Sequence, residues 1–259
     1  MTQVSQADAK RARGALRYLA ASALLLLFWA LGSAALGEML LPDPWATIRA
    51  FAESLSDPAF LGHCAASGLR LIGGLALALA VGFPFGLWFG HSDRADWLGA
   101  PLAFITYPLP KIVLLPVFFT IVGIGDASRV LLIALTTGYQ ILVIVRAEAR
   151  ALSDASERAL RSMGASKFEI LRHVWLPAAL PSLFTGLKVA SGTAVAVLFL
   201  AESFATDSGL GWLIMDAWGM GDILRMFVGI LGMSLMGVLL YAAVSAAEAL
   251  CCRWLRAGR

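Results

Sequence analysis

The sequence predicts an all-α membrane protein of about six transmembrane helices, and three observations carry that prediction. Of the 259 residues, 59% are hydrophobic and only 14% are charged, whereas about 25% of the residues in a soluble domain are charged. The apolar residues also gather into stretches close to the roughly 20 residues that cross a bilayer core as a helix. These stretches occupy residues 18–37, 71–90, 97–125, 130–145, 178–201 and 226–247.

The first apolar stretch, 18–37, follows a short basic segment, as the core of a signal peptide also would. Its uncharged length exceeds the about 7–15 residues of a signal-peptide core, so we expect an uncleaved helix. The expected organisation is an N-terminal tail over 1–17, a first helix with its following loop over 18–64, a transmembrane domain over 65–250, and a C-terminal tail over 251–259.

Small residues recur at every fourth position of the second stretch, which places them on one helix face. They are Gly74, Ala78, Gly82, Gly86 and Gly90. A second stripe, Gly186, Ala190 and Ala194, lies in the fifth stretch. Since such faces let another helix backbone approach closely, the sequence predicts tight helix packing at both stripes.

The third stretch contains four prolines and one charge, Lys111. A helix break is tolerated in a membrane only where protein or water covers the freed backbone, so this stretch is predicted to lie inside the bundle or along a pathway. The candidate pathway residues are Pro108, Pro110, Lys111, Lys188 and Glu202. The alternative for the three charged residues is structural pairing or placement at the membrane interface.

Basic residues set the predicted orientation, because Lys and Arg concentrate in cytoplasmic loops. With six spans both termini lie on one side, and that side receives most of the Lys and Arg residues. The other side receives only Arg49, Arg70, Arg129 and Arg225. The termini and the loop between the fourth and fifth spans are therefore predicted to be cytoplasmic.

That loop, within 150–177, is predicted to form two short helices with a turn at Gly164. Asp154 with Glu157, and Ser166 with Glu169, have the spacing of helix capping boxes. Gly164 stands where a helix ends with a residue of positive φ. Asp126 and Ser128 are similarly expected to cap the start of the fourth span. On these patterns alone, docking to a partner and an amphipathic surface helix remain equal alternatives.

The same loop resembles the EAA loop of ABC importer permeases. The family pattern is Glu-Ala-Ala, three residues, Gly, nine residues, Ile, one residue, Leu-Pro. The chain reads RALRSMGAS at 158–166 and VWLP at 174–177, so the spacing from Gly164 matches, with valine in place of isoleucine. The first triplet departs from the pattern, and a glutamate, Glu157, lies one position early. The segments YPLPK, GIG and GLGWLI at 107–111, 123–125 and 209–214 are similar to the nitrate/sulfonate/taurine-type permeases.

The resemblance implies a permease subunit of an ATP-driven importer for a small solute, such as a sulfonate, taurine or nitrate, in a bacterial inner membrane. It implies a permease homodimer in membrane lipid, cytoplasmic ABC ATPase subunits that hold ATP and Mg, and a periplasmic solute-binding protein. The residues assigned to ATPase coupling are Glu157, Arg158, Ala159, Arg161, Gly164, Ala165, Ser166, Arg172, Leu176 and Pro177. The chain itself has no Gly-Lys dipeptide and so no phosphate-binding P-loop.

Other functional classes fit the sequence less well. A secondary transporter needs an acidic residue in mid-membrane, and Glu202 and Glu248 lie near span ends. A membrane enzyme needs a cluster of catalytic residues, and neither an HExxH nor a GxSxG motif occurs. The net charge of +3 does not indicate nucleic-acid binding. The three cysteines form no CxxC pair, and no cofactor or metal site is predicted.

Overall fold

The computed structural model describes residues 2–152 and 154–254, although not the side chains of 2–15, 18, 154 and 156. Every regular element in the described part is helical. The α-helices are α1 (Thr2–Leu36), α2 (Pro44–Ser54), α3 (Pro58–His91), α4 (Asp93–Thr106), α5 (Leu115–Val122), α6 (Asp126–Ala151), α7 (Asp154–Ser162), α8 (Lys167–Ile170), α9 (Leu176–Glu202), α10 (Leu210–Gly219) and α11 (Ile223–Cys251). A 3₁₀ turn occupies Lys111–Leu114 and a π-helical turn occupies Leu171–Trp175.

The membrane-span prediction is confirmed. Among the residues that the structure describes, five helices are long and apolar enough to cross a bilayer, and a sixth span results if α4 and the segment Lys111–Val122 are counted together. Those two pieces meet at an angle of 91°. The bend falls at residues 107–110, where Pro108 and Pro110 interrupt the helix, since a proline supplies no backbone donor and crowds the preceding turn.

The helices are longer than the apolar stretches that predicted them. The predicted tail over 1–17 is helical from Thr2, although the apolar span itself is Leu19–Leu36. Helix α3 begins at Pro58, thirteen positions before the predicted start at 71. Polar residues that a hydropathy pattern places in loops therefore belong to the helices themselves.

The cap predicted for the fourth span is wrong. Helix α6 starts after Gly125 without any side-chain cap. Asp126 instead binds Arg70, and the hydroxyl of Ser128 donates to the carbonyl oxygen of Gly125 at 2.8 Å. A tertiary ion pair has replaced the local hydrogen bond that the sequence favours.

The chain forms two compact units. The first contains the residues up to Leu61 together with Ile214–Leu231. Within it, Trp29 donates through Nε1 to the carbonyl oxygen of Pro42 at 3.0 Å, and Asp43 caps α2 by accepting from the backbone N–H of Ala46. The second unit contains Gly62–Leu213 and the residues from Gly232 onward.

The second unit is built around α6. Leu132, Ile133, Ile141 and Val145 of this helix are fully buried, and they form the centre of two apolar clusters shared with α3 and α9. Because α6 is enclosed by neighbouring helices, the residues at its two ends are held in defined positions.

The predicted small-residue stripe of α3 faces α6. A Cβ atom at Gly82 would overlap the carbonyl oxygen of Gly138, and one at Gly86 would lie 2.9 Å from the carbonyl oxygen of Leu142. A Cβ atom at Gly74 would overlap the side chain of Ile133, and one at Gly90 would overlap the Cβ atom of Ala149. The stripe therefore brings the two backbones together, as small residues do between membrane helices.

Replacing Gly82 with alanine is expected to lower the thermal unfolding midpoint of the purified protein in detergent. The added methyl group meets rigid backbone, and such overpacking costs about 1–3 kcal/mol. Gly68→Ala is the matched control, because a Cβ atom at Gly68 of the same helix has no atom within 4 Å. Equal midpoints for the two variants would contradict the close α3–α6 contact.

Candidate functional site

Two polar groups of residues lie at the two ends of α6, which with 26 residues is about 39 Å long. We call the Ala151 end, which leads into α7, the loop end, and the Asp126 end the far end. The loop end holds the residues predicted for ATPase coupling. The far end holds a buried ionic network.

At the loop end, α7 closes with a complete Schellman motif around Gly164. The backbone N–H of Gly164 donates to the carbonyl oxygen of Arg161 at 3.0 Å, and that of Ala165 to Leu160 at 3.1 Å. Gly164 has φ +84°, a conformation that glycine adopts without a steric cost. The predicted turn is confirmed.

The capping box predicted after this turn is also confirmed. Ser166 donates its backbone N–H to Glu169 Oε2 at 2.7 Å, and the backbone N–H of Glu169 donates to Ser166 Oγ at 3.3 Å. We call α7 and α8 with the turn between them the hairpin, and the two helix ends that meet at its tip are thus closed by local hydrogen bonds. The side chain of Asp154, predicted for the first capping box, lies outside the described residues.

The second short helix of the predicted pair is not a separate element. Helix α8 passes through the π-helical turn at Leu171–Trp175 directly into α9, giving one helical stretch over Lys167–Glu202. Within α8, Ile170 is buried while Phe168 is 66% exposed. Pro177 lies two positions after the π-helical turn, and the helix continues past it along α9.

The predicted coupling residues divide by exposure. Exposed are Arg158, Ala159, Arg161, Gly164, Ser166 and Arg172, and partly buried are Glu157, Ala165, Leu176 and Pro177. The carboxylate of Glu157 turns inward, where it pairs with Arg161 and accepts a hydrogen bond from Trp175 Nε1 at 3.1 Å. The hairpin therefore presents an arginine-rich surface outward.

Three further ion pairs described at the loop end join α4 to α6. Arg146 forms an ion pair with Asp96, and Arg150 reaches both Asp93, at 3.0 Å, and Asp96, at 3.3 Å. These pairs fasten the start of α4 to the end of α6.

At the far end, Arg70 is the centre of a buried network. It donates through Nη1 to Glu202 Oε1 and through Nε to Asp126 Oδ1, both at 2.7 Å. It also donates to the carbonyl oxygen and the hydroxyl of Ser208, each at 2.8 Å. The side chain of Arg70 is 4% exposed and that of Glu202 is fully buried. A buried charge needs such pairing, because leaving water is costly for an isolated ion.

Backbone groups complete the environment of Glu202. Its carboxylate accepts from Ser67 Oγ and from the backbone N–H of Gly211, at 2.8 and 2.9 Å. Gly209 has φ +107°, and a Cβ atom there would overlap the carboxylate. Arg129, 2% exposed, donates to the carbonyl oxygens of Ala201 and Phe204. The turn after α9 is thus held by two buried arginines.

The predicted pathway residues are scattered, and their transport role stays a prediction. Lys111 lies at the bend, donating to the carbonyl oxygens of Thr106, Tyr107 and Leu109 at 3.2–3.4 Å, with its Nζ 4.1 Å from the ring centre of Tyr139.

Two of the others line cavities. Pro108 borders a largely apolar cavity of about 700 Å³ between α4 and α6, and Pro110 is exposed beside it. Lys188 borders a groove of about 460 Å³ between α9 and α11 and forms an ion pair with Glu248. Glu202 faces Arg70 and not an open space.

Sequence reasoning missed the partners in both groups. Arg70 and Arg129 were counted as loop residues, although both are buried within helices. The available signal was the position of Arg70 four residues before Gly74, on the stripe face of α3. The stacking of Trp175 on His91 joins residues 84 positions apart, and no local pattern indicates it. In the described part of the chain, no three His, Cys, Asp or Glu residues are arranged to hold a metal ion.

Comparisons with known proteins agree on one kind of protein. The family model described as "Binding-protein-dependent transport system inner membrane component" matches residues 82–250. The taurine transport system permease protein TauC of Escherichia coli is 29% identical, over 84% of this chain and 80% of its own length. The putative aliphatic sulfonates transport permease protein SsuC of Bacillus subtilis is 25% identical over 97% and 92%. The riboflavin transport system permease protein RibX of Chloroflexus aurantiacus is 30% identical over 89% and 87%.

A solved structure has a similar fold. A chain of the inward-facing MetNI methionine ABC transporter superposes with a TM-score of 0.63 and 18% identity, over 76% of this chain and 99% of that one.

Proposed function

The chain belongs to the family of binding-protein-dependent transport system inner membrane components, the non-catalytic permease subunits of ATP-driven importers, and we propose that it carries a small organic anion such as a sulfonate. The relatives that transport taurine and aliphatic sulfonates support this substrate class. A permease of this family works with an ATPase subunit and a solute-binding protein. ATP and Mg belong on the ATPase, and the permease pairs with a second copy of itself in the lipid.

The observation that carries the proposed coupling role is the hairpin at the loop end. Its tip is closed by the Schellman motif at Gly164, and its second arm continues without interruption into α9. A displacement of the hairpin is therefore applied to a transmembrane helix directly. Packed helices respond to such displacements by shifting between discrete arrangements.

The charge of the hairpin indicates the surface that it meets. Arg158, Arg161 and Arg172 are all exposed around Gly164, whereas Glu157 is turned inward. An ATPase groove with an acidic rim complements that arrangement, since complementary charges set the register of an interface. The abundance of Lys and Arg at this end also supports cytoplasmic placement of the hairpin and both termini.

The pathway is proposed to run along the bend after α4 and the groove beside α9. Pro108 and Lys188 border the two cavities there, and Lys111 donates to a carbonyl oxygen at the bend. A cation at that position lowers the electrostatic barrier to an anion.

The proposal is tested by purifying the tagged permease with its neighbouring genes co-expressed, and by measuring taurine and ethanesulfonate uptake into proteoliposomes. We expect an ATPase subunit to co-purify and uptake to require both ATP and the binding protein. Uptake that needs no ATP and collapses with the proton gradient would indicate a secondary transporter instead. Uptake of riboflavin but not of sulfonates would contradict the proposed substrate class but would still agree with the importer function.

A further inference from the structure

Three side chains at the loop end connect α7 to two transmembrane helices. Glu157 of α7 accepts the hydrogen bond from Trp175 Nε1, at 3.1 Å. The Trp175 indole stacks on the His91 imidazole with ring centres 4.0 Å apart and planes 27° from parallel. His91 is the last residue of α3, and Trp175 directly precedes α9. We call these three residues the coupling strut.

The strut lies beside a cavity of about 330 Å³. Its lining includes Asp93, Arg150 and Leu152 as well as the three strut residues. Atoms that face a cavity have no packing partner across it, so a displacement cannot pass through the cavity itself. The ordered contacts along its border must transmit the displacement instead. The strut supplies such contacts between α7 and the ends of α3 and α9.

The backbone at Trp175 is also unusual. Trp175 ends the π-helical turn that begins at Leu171, and the N–H of Leu176 donates to the carbonyl oxygen of Leu171. Single π turns in α-helices occur frequently at functional sites. The indole meets both Glu157 and His91 from the end of this turn.

We propose that Glu157, Trp175 and His91 are positioning residues that make α7 and the loop ends of α3 and α9 move as one body when an ATPase subunit displaces the hairpin. This inference rests on the proposed docking of α7 to an ATPase. It also assigns Glu157 a role that differs from a contact on the docking surface. Glu157 holds Trp175, while the exposed arginines meet the partner.

The test uses the full complex with its ATPase subunits and a permease whose three cysteines are replaced by alanine. Spin labels are attached at Ser162→Cys in α7 and Thr185→Cys in α9, both exposed positions. The label separation is measured without nucleotide and with ATP and vanadate. In wild type we expect a change of no more than about 2 Å, the upper size of the helix shifts that occur at subunit interfaces.

Trp175→Phe removes the indole N–H and keeps an aromatic ring for His91. We expect it to enlarge the ATP-dependent change in separation, while the amount of co-purified ATPase stays within about twofold of wild type, because the strut lies off the docking surface. Glu157→Leu should enlarge the change in the same way. Glu157→Gln loses the same ion pair with Arg161 but keeps an acceptor oxygen for Trp175, so it should restore the wild-type separation and controls for the freed arginine. Trp88→Phe is the control, because it makes the same substitution at a residue outside the strut. Trp88 lies near the end of α3 and is 56% exposed.

Several outcomes would overturn the strut. They are a Trp175→Phe complex whose labels behave as in wild type, a wild-type separation that itself changes by much more than about 2 Å, or a Glu157→Leu permease that no longer retains the ATPase. Should Trp175→Phe fail to fold, Glu157→Leu decides by the same measurement. Failure of the wild-type permease to retain any ATPase would instead refute the proposed function.

Discussion

Replacing Arg70 with methionine is expected to destabilise the second unit strongly. The substitution leaves the fully buried carboxylate of Glu202 without its cationic partner. Removing one member of a buried ion pair costs roughly 3–5 kcal/mol, because the remaining charge can neither reach water nor find compensation. The measurement is the thermal unfolding midpoint in detergent, together with the fraction of monodisperse protein after extraction.

Two further variants test whether the loss of stability comes from the unpaired charge of Glu202 or from the loss of contacts in general. Asp126→Asn removes the other carboxylate bound by Arg70, but the Asp126 side chain is 68% exposed, so its effect should be about 0–1 kcal/mol. Adding Glu202→Gln to Arg70→Met should recover much of the lost stability, since the amide oxygen still accepts from Ser67 while the buried charge is gone. A double variant no more stable than Arg70→Met would contradict the explanation by buried charge.

Replacing Gly164 with valine is expected to keep the protein in the membrane but to uncouple ATP hydrolysis from transport. The native φ of +84° costs a side chain with a Cβ atom about 1–2 kcal/mol. A penalty of 1.4 kcal/mol lowers the population of the native turn about tenfold relative to relaxed alternatives. The apparent affinity for the ATPase falls in proportion to the fraction of permease that keeps the native turn, and this fall approaches tenfold where the relaxed alternatives predominate.

The same site offers its own control. Gly164→Asn introduces a side chain of comparable size, but asparagine tolerates the left-handed conformation and ends helices in this way. We expect the asparagine variant to retain most of the wild-type ATPase binding and taurine-stimulated ATP hydrolysis in proteoliposomes, and the valine variant to lose both. Normal uptake by the valine variant would mean that the hairpin is not the coupling element.

The parts of the protein that were predictable from sequence are those determined by short-range physics. The span count follows from the number of apolar residues needed to cross a bilayer, and the stripe from Gly74 to Gly90 follows from helical periodicity. The turn at Gly164 and the box formed by Ser166 and Glu169 are local hydrogen-bond patterns, and both were confirmed.

The incorrect predictions share a cause. Asp126 was predicted to cap α6, but it is the first residue of that helix, and its carboxylate binds Arg70, 56 positions away. The second hairpin helix was expected to end before Pro177, but the π-helical turn lets the helix continue past the proline. In both cases a tertiary contact or a change of helical register replaced the pattern that propensity favoured.

The sequence by itself thus determined a bundle of about six apolar spans, its tight helix faces and a capped hairpin, because each depends on residues within a few positions of one another. The tertiary structure alone decided that Arg70 neutralises Glu202 and that Trp175 joins Glu157 to His91. Those contacts join residues 132, 18 and 84 positions apart, and their energies arise only when folding removes water from around them.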